Sequence, residues 1–473
     1  MRKKGLTATV ILAGLAWASA AHAQPSDRYA VHNIVSSDTA KIAADRADPN
    51  LRNPWGLAAS ATSPWWPANE RSNTSTIVPA SGAVNNTVVT VPGGPTGITT
   101  GAGAGNFLTL GNPAAFIFST LGGELYSWRG GVPNNNGVRQ LTRPGAVYTG
   151  MALATVAGAP RLYVADLRNN RIDMVNAQWG LIDAPGAFVD PNLPGGYGAY
   201  GVQTVGNRII VTYAQQPADP AAVPYRERRG AGLGVVNAFD LSGNFLARIA
   251  SPGGVLNAPW GTALAHANFG AFAGDLLIGN FGGGRINAFH ENPDGTWTHS
   301  GFLNNTAGDP LVLPGLWALQ FGNGNANSGP RNWLYYTAGP MGESEGVLGR
   351  IMPNPLDVSA TVPATLSLTL STPAPLGPFV PGVAATYTTT ATANVISTAG
   401  DATLSVDNPG PLTNGAFALP QPLQVSLSKS TWTAPVSNDP VTVTFTQPIG
   451  ANDALRTGTY SRTLTFTLST TNP

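Results

Sequence analysis

The chain has 473 residues, 25 basic against 24 acidic side chains, 10% charged residues and no cysteine. That balance excludes a polybasic nucleic-acid binder, a disulfide-stapled scaffold and a thiolate metal centre. The 42% of apolar residues argues against disorder, and the 57 glycines and 40 prolines, spread between apolar runs, fit many short strands joined by tight turns.

Residues 1–23 read as a signal peptide. Arg2, Lys3 and Lys4 form a positive start, Leu6 to Ala18 is an apolar stretch, and Ala21-His22-Ala23 is a small-x-small cleavage site before Gln24. The apolar run is short of the ~20 residues that span a bilayer, and no later segment reads as transmembrane. The mature protein is expected to be secreted or periplasmic, without nucleic acid as a partner.

Residues 24–352 carry a repeat. An aromatic residue or proline precedes a glycine, and a short apolar strand follows. The copies are Asn53-Pro-Trp-Gly-Leu-Ala, Gly94-Pro-Thr-Gly-Ile-Thr, Val147-Tyr-Thr-Gly-Met-Ala, Gly198-Ala-Tyr-Gly-Val-Gln, Ala258-Pro-Trp-Gly-Thr-Ala and Pro314-Gly-Leu-Trp-Ala-Leu. A period of ~40–60 residues built from short strands is a propeller signature. In each copy a second strand, a polar turn and a third strand follow; Arg161 to Val175 and Asp275 to Phe289 are near copies of each other. The glycines Gly56, Gly97, Gly150, Gly201 and Gly261, with Ala318 in sixth place, sit where the innermost strands crowd an axis and leave no room for a side chain. The sixth copy has only three strands, so Tyr29–Val35 is expected to supply its outer strand beside Val347–Ile351 and close the ring.

Met352-Pro-Asn-Pro starts a linker over residues 353–360. Residues 361–473 become rich in Thr and Ser and strictly alternating, as in Leu366 to Leu370, Val441 to Phe445 and Arg462 to Leu468. Six or seven half-buried strands over ~110 residues match an immunoglobulin-like β-sandwich, with Trp432 in its core. The fold class is therefore all-β: a six-bladed β-propeller followed by an immunoglobulin-like β-sandwich.

The loops leading into the inner strands hold Trp55, Tyr148, Tyr200, Trp260 and Trp317, aromatics suited to a sugar ring or another flat ligand, and Arg168 lies in a nearby turn. Each of these rings is also a fair candidate for packing between blades. Glu70, Asp166, Asn169 and Asn280 are oxygen donors on different blades, which Ca2+ could gather, although Asp166 and Asn280 could equally accept hydrogen bonds in their own turns. Tyr225-Arg-Glu-Arg-Arg-Gly230, in an insertion over 215–232, is the basic cluster of the chain, readable as a lid or as a solvated loop. Histidines lack metal spacing, and neither a Gly-x-Ser-x-Gly elbow nor a phosphate loop occurs.

Asn53-Pro-Trp-Gly, Leu162 to Asp173, Asn257-Ala-Pro-Trp-Gly, His266 to Phe272, Gly279 to Asn287, Gly315-Leu-Trp-Ala-Leu and Thr337-Ala-Gly-Pro resemble phrases of an exported bacterial family of six-bladed, NHL-like propellers. The C-terminal part resembles bacterial immunoglobulin-like modules. Two functions follow as expectations. One is an exported binding or scaffold protein whose propeller face recognises a glycan, an envelope protein or a small molecule. The alternative is a Ca2+-dependent lactonase- or esterase-like hydrolase or lyase.

Overall fold

The computed structural model describes residues 8–10, 26–83, 85–222, 224–354 and 365–470. Most of the expected signal peptide and most of the expected linker lie outside these residues. The chain divides into two compact units: the described residues 26–354 form one, and Ala8–Val10 with residues 365–470 form the other.

In the first unit the repeats become six sheets among the described residues, five of four antiparallel strands and a sixth to which Arg46–Ala47 adds a short parallel fifth strand. Blade one is Pro54–Ala58, Trp66–Asn69, Thr74–Thr76 and Val88–Thr90. Blade two is Pro95–Thr100, Phe116–Thr120, Glu124–Trp128 and Val138–Thr142. Blades three, four and five begin at Tyr148–Val156, Tyr197–Val205 and Pro259–Leu264 and repeat the plan. Blade six is Leu316–Phe321, Leu334–Ala338 and Val347–Pro353, completed by the N-terminal Tyr29–Ser36. That strand pairs antiparallel with the last, Val31 opposite Ile351, so the first and last strands of this unit meet in one sheet as the sequence predicts. The inner strand of each blade touches that of the next, and the sixth touches the first, which closes the ring.

The anchor glycines explain how close the inner strands come. A Cβ on Gly56 would sit 2.5 Å from the Thr96 carbonyl oxygen, on Gly201 2.3 Å from that of Trp260, and on Gly261 2.3 Å from that of Trp317. Each is closer than carbon and oxygen can approach, so a side chain would force neighbouring blades apart. Along the axis the ring leaves about 20 Å³, lined by Gly56, Gly97, Trp260 and Ala318. Toward the far end it widens to about 210 Å³ between Ala58, Thr99, Ala152 and Gln320. Apolar clusters fill the spaces between blades, such as Tyr163, Ile172, Val202, Val211 and Phe239 between blades three and four.

The second unit is also all β. Leu366–Leu370, Ala385–Ser397, Val436–Ile449 and Gln424–Leu427 form one sheet; Thr403–Val406 pairs with Leu464–Ser469 in another. Leu464–Phe466 also runs parallel to Ala8–Val10. Alternate residues such as Ala393, Val443, Phe445, Leu404 and Phe466 share one core. Trp432 is in it, as its apolar surroundings require, with its indole N–H given to Asp439 at 2.6 Å. A hairpin, Pro411–Asn414 with Phe417–Pro422, was hidden in the sequence by its prolines. Among the described residues no helix is long and apolar enough to cross a membrane.

Candidate functional site

Every inner strand starts with a break in pairing register. It lies between Tyr148 and Gly150 in blade three and between Ala199 and Gly201 in blade four, with similar slips at Pro54/Leu57, Pro259/Thr262 and Leu316/Leu319. A bulge re-aims the extra residue. The residue just before the anchor position is therefore special: Trp55, Tyr200, Trp260 and Trp317 in four blades, Thr96 and Thr149 in the other two. The four aromatics meet at one mouth of the ring. Trp55 stacks on Trp317 at 3.6 Å between centroids, and Trp317 stacks on Phe281 at 3.8 Å. Tyr200 and Trp260 meet Trp55 at 6.0 and 6.2 Å, Trp260 edge-on. Offset stacks and edge contacts of this kind are favourable for quadrupolar rings. Trp260 also donates its indole N–H to the Thr149 carbonyl at 2.8 Å.

Tyr148 stands apart from this group. It lies two residues before its glycine rather than one, so strand alternation turns it away. It packs with Leu162 and Val175 and donates its hydroxyl to Asp173 at 2.7 Å. Burial, then the Asp173 charge, pushes its pKa far above the ordinary tyrosine value.

Asn53 ties the mouth together. It is fully buried, with the left-handed φ of 46° that asparagine tolerates better than most residues. Its side chain accepts from Trp317 Nε1 at 2.8 Å and donates to Glu70 at 2.8 Å and Glu343 at 3.1 Å. The close approach of Gly339 permits this: a Cβ there would lie 2.0 Å from Asn53 Oδ1. Glu343 is itself left-handed, with φ of 69°, after Met341 and Gly342 at 55° and 66°. Backbone strain of this kind in a non-glycine costs of order 1–3 kcal/mol and collects at functional sites. Here it aims a buried carboxylate at the mouth.

The insertion after Arg208–Gln215 folds over the opening. Tyr225 packs in the aromatic cluster, and Arg168 lies over its ring at 4.6 Å. Arg226 reaches across the ring to pair with Glu343, lies 4.8 Å over Trp55 and 3.9 Å from Glu70. Arg229 joins Glu343 at 3.2 Å and covers Phe281 at 4.7 Å. Arg71 approaches Glu70 from the outside at 3.9 Å. Burial works against the Arg226 charge, but the carboxylates of Glu227, Glu343 and Glu70 outweigh it and hold its pKa above the ordinary value. Glu227 is buried as well, and burial raises its pKa despite Arg226. Its nearest cations are Arg226 at 3.5 Å and Arg229 at 3.7 Å. Glu227 and the Tyr200 hydroxyl face each other in this buried space, and Trp55 Nε1 is buried beside them without a hydrogen-bond partner among the described residues.

Of the four expected metal donors, Asp166 and Asn169 touch each other, and each donor already has protein partners. Asp166 accepts from the Val147 and Asn169 backbones at 3.1 and 3.3 Å, from Asn169 Nδ2 at 2.7 Å and from Arg171 at 2.9 Å. Asn280 accepts from the Asn257 N–H at 3.1 Å and donates to Val255 at 3.0 Å. These bonds tie each residue to its own turn or to the loop that enters its own blade, and Glu70 belongs to the mouth instead. Among the described residues no group of three His, Asp or Glu could hold a metal ion. Of the other site residues, Asn53 and Glu343 lie on loops that the sequence places on this face, Arg226 and Glu227 lie in the candidate lid, and Phe281 is the one the sequence did not single out. The basic cluster 225–230 was the visible signal for Arg226 and Glu227.

No family model matches the chain. Among curated proteins it is 31% identical over 340 residues to uncharacterized protein R648 of Acanthamoeba polyphaga mimivirus, covering 68% of this chain and 79% of that one. A second mimivirus protein, L690, is 30% identical over 298 residues, with 59% and 75% covered. Of solved structures, a streptogramin B lyase matches at TM-score 0.38 and 13% identity over 64% of this chain and 95% of its own. Hydrazine synthase of Kuenenia stuttgartiensis matches at 0.35 and 12%, over 64% and 84%. The curated relatives are viral, whereas the sequence resemblance pointed to bacteria. The chain belongs to the family of mimivirus protein R648.

Proposed function

We propose that this is an exported binding protein whose propeller mouth recognises a ligand and whose insertion serves as a lid. The observation that carries the reading is the bulge-aimed aromatic cluster of Trp55, Tyr200, Trp260 and Trp317 under a loop tied by ion pairs and cation–π contacts. Aromatic walls with a few fixed polar groups suit a glycan, an exposed protein segment or a small molecule. The C-terminal unit, read as an immunoglobulin-like sandwich, would space or present the propeller. Export rests on the leader at residues 1–23, and the mass of the mature product tests it: cleavage after Ala23 leaves Gln24 first.

Wild-type protein and a form with residues 217–231 replaced by a short Gly-Ser link should be screened on glycan and peptide arrays. Capture by the lidless form, lost when Trp55 and Trp317 are both changed to Ala, supports the reading. Silence from both forms overturns it.

The Ca2+-dependent hydrolase or lyase would need Asp166, Asn169 and Asn280 to give up their present bonds. A melt with EDTA and then with added Ca2+ decides between the two. The binding reading expects an unmoved propeller transition. A reversible rise would favour the metal, since a ligand at a hundredfold excess over its Kd stabilises by about 2.7 kcal/mol.

A further inference from the structure

The ion at the centre of the mouth is Arg226, and its surroundings are those of a bound ligand. A planar cation lies over the face of Trp55 at 4.8 Å, paired with Glu343 and 3.9 Å from Glu70. Asn53 braces both carboxylates from behind, at 2.8 and 3.1 Å. Trp317 holds Asn53 in turn, and Phe281 continues the stack. All of these belong to the propeller body, whereas Arg226 arrives on the insertion from 117 residues away. A fork-shaped donor, two carboxylates and an aromatic face are the elements that recognise a guanidinium rather than a generic cation.

Charge points the same way. Arg226 and Arg229 stand against Glu70, Glu227 and Glu343, with Arg71 touching Glu70 only at the rim. When the loop leaves it takes Arg226, Glu227 and Arg229 together, and Glu70 and Glu343 are left facing only Arg71 at the rim. On the propeller body the buried Tyr200 hydroxyl and Trp55 N–H lie in the same cluster and add polar groups for an incoming ligand.

We propose that the propeller mouth is a guanidinium-binding site and that Arg226 occupies it as a tethered stand-in for an arginine-like ligand. The proposal rests on the mouth being the ligand site and names the chemistry it takes: a guanidinium, carried by an arginine side chain of a protein or by a free small molecule. The incoming group displaces Arg226 and the loop swings out with it.

Chemical rescue tests this. In R226A, N-acetyl-arginine amide at millimolar concentration is titrated against tryptophan emission and the melting temperature. The expected result is saturable quenching or enhancement with a rise in melting temperature, neither seen in wild type at the same concentration. N-acetyl-lysine amide should bind about tenfold more weakly, because it lacks the fork. R226A/E343Q should lose the response. R226Q keeps a stem over Trp55 and allows the same titration should R226A fold poorly. Arginine-containing peptides against free arginine and methylguanidinium, in wild type and the lidless form, separate the two sources. A folded R226A or R226Q that ignores every arginine probe, or answers lysine equally, overturns the proposal. Neutral glycans captured by a lidless form that ignores guanidinium would leave the mouth as a site and remove only its ligand class; no capture of any kind would remove both.

Discussion

Adding one methyl group at the anchor positions should affect the blades unequally. A Cβ on Gly201 falls 2.3 Å from the Trp260 carbonyl oxygen and 2.8 Å from Thr212 Oγ1, the atom that accepts the Gly201 N–H at 2.9 Å. A Cβ on Gly150 falls no closer than 3.1 Å, to the Tyr200 carbonyl oxygen. Neither glycine has a positive φ, so the comparison is one of space alone. Gly201→Ala must move the backbone of blade five by roughly 1 Å to reach ordinary contact. Overpacking of this sort costs about 1–3 kcal/mol, and a backbone obstacle places it at the upper end. Gly150→Ala needs a few tenths of an ångström, and the ~0.4–1 kcal/mol gained by restricting the unfolded chain offsets much of that. Urea unfolding followed by tryptophan emission gives both. With a slope of about 3 kcal/mol/M, Gly201→Ala should lower the midpoint by about 1 M and Gly150→Ala by less than about 0.3 M. Equal losses, or a larger loss for Gly150→Ala, would refute the claim that blade contact at the axis fixes these glycines.

Other outcomes follow from the mouth. Trp317→Ala removes a fully buried ring from between Trp55 and Phe281 and should cost about 3–5 kcal/mol in the same urea assay, with Trp317→Phe losing clearly less. Burial raises the Glu227 pKa, so the fold holds this proton more tightly than the unfolded chain does. Its contribution to stability is therefore present at low pH and falls as pH rises from the usual carboxylate range through the raised value. The melting difference between Glu227→Gln and wild type should grow more positive from about pH 4 to pH 7 by calorimetry; a difference that shrinks would reverse the sign and the argument.

The ring itself was legible because its cause is local. Each blade repeats a glycine at the axis, a hairpin turn and apolar strands, and the closing strand Tyr29–Ser36 was visible as a leftover beside a three-stranded copy. The aromatic set was legible except for Tyr148, which one position of offset turned out of the mouth. A bulge is a property of two strands together, and the sequence of one strand does not show it. The rest of the site was hidden for a simpler reason. Asn53 meets Trp317 across 264 residues and Arg226 meets Glu343 across 117. No spacing rule reads such pairs, and an insertion rich in Arg and Pro looks the same whether it is solvated or folded into an aromatic mouth. The oxygen donors illustrate the converse. Asp166 and Asn280 are well placed in sequence for a shared ion, yet each accepts from the backbone of the loop that enters its own blade, at Val147 and Asn257.

The central claim is that the insertion is a removable lid over a preformed aromatic site. Amide hydrogen exchange on the wild-type protein tests it most directly. The loop is held by ion pairs, cation–π contacts and few bonds from its backbone, such as the Arg228 N–H to the Gln215 carbonyl at 2.7 Å and the Gly230 N–H to the Asn257 side chain at 2.8 Å. The account predicts that amides of residues 225–230 exchange far faster than those of Leu276–Asn280, and faster still in high salt, which screens the ion pairs. Exchange of the loop only together with that strand, and indifferent to salt, would make it a fixed plug and contradict the account.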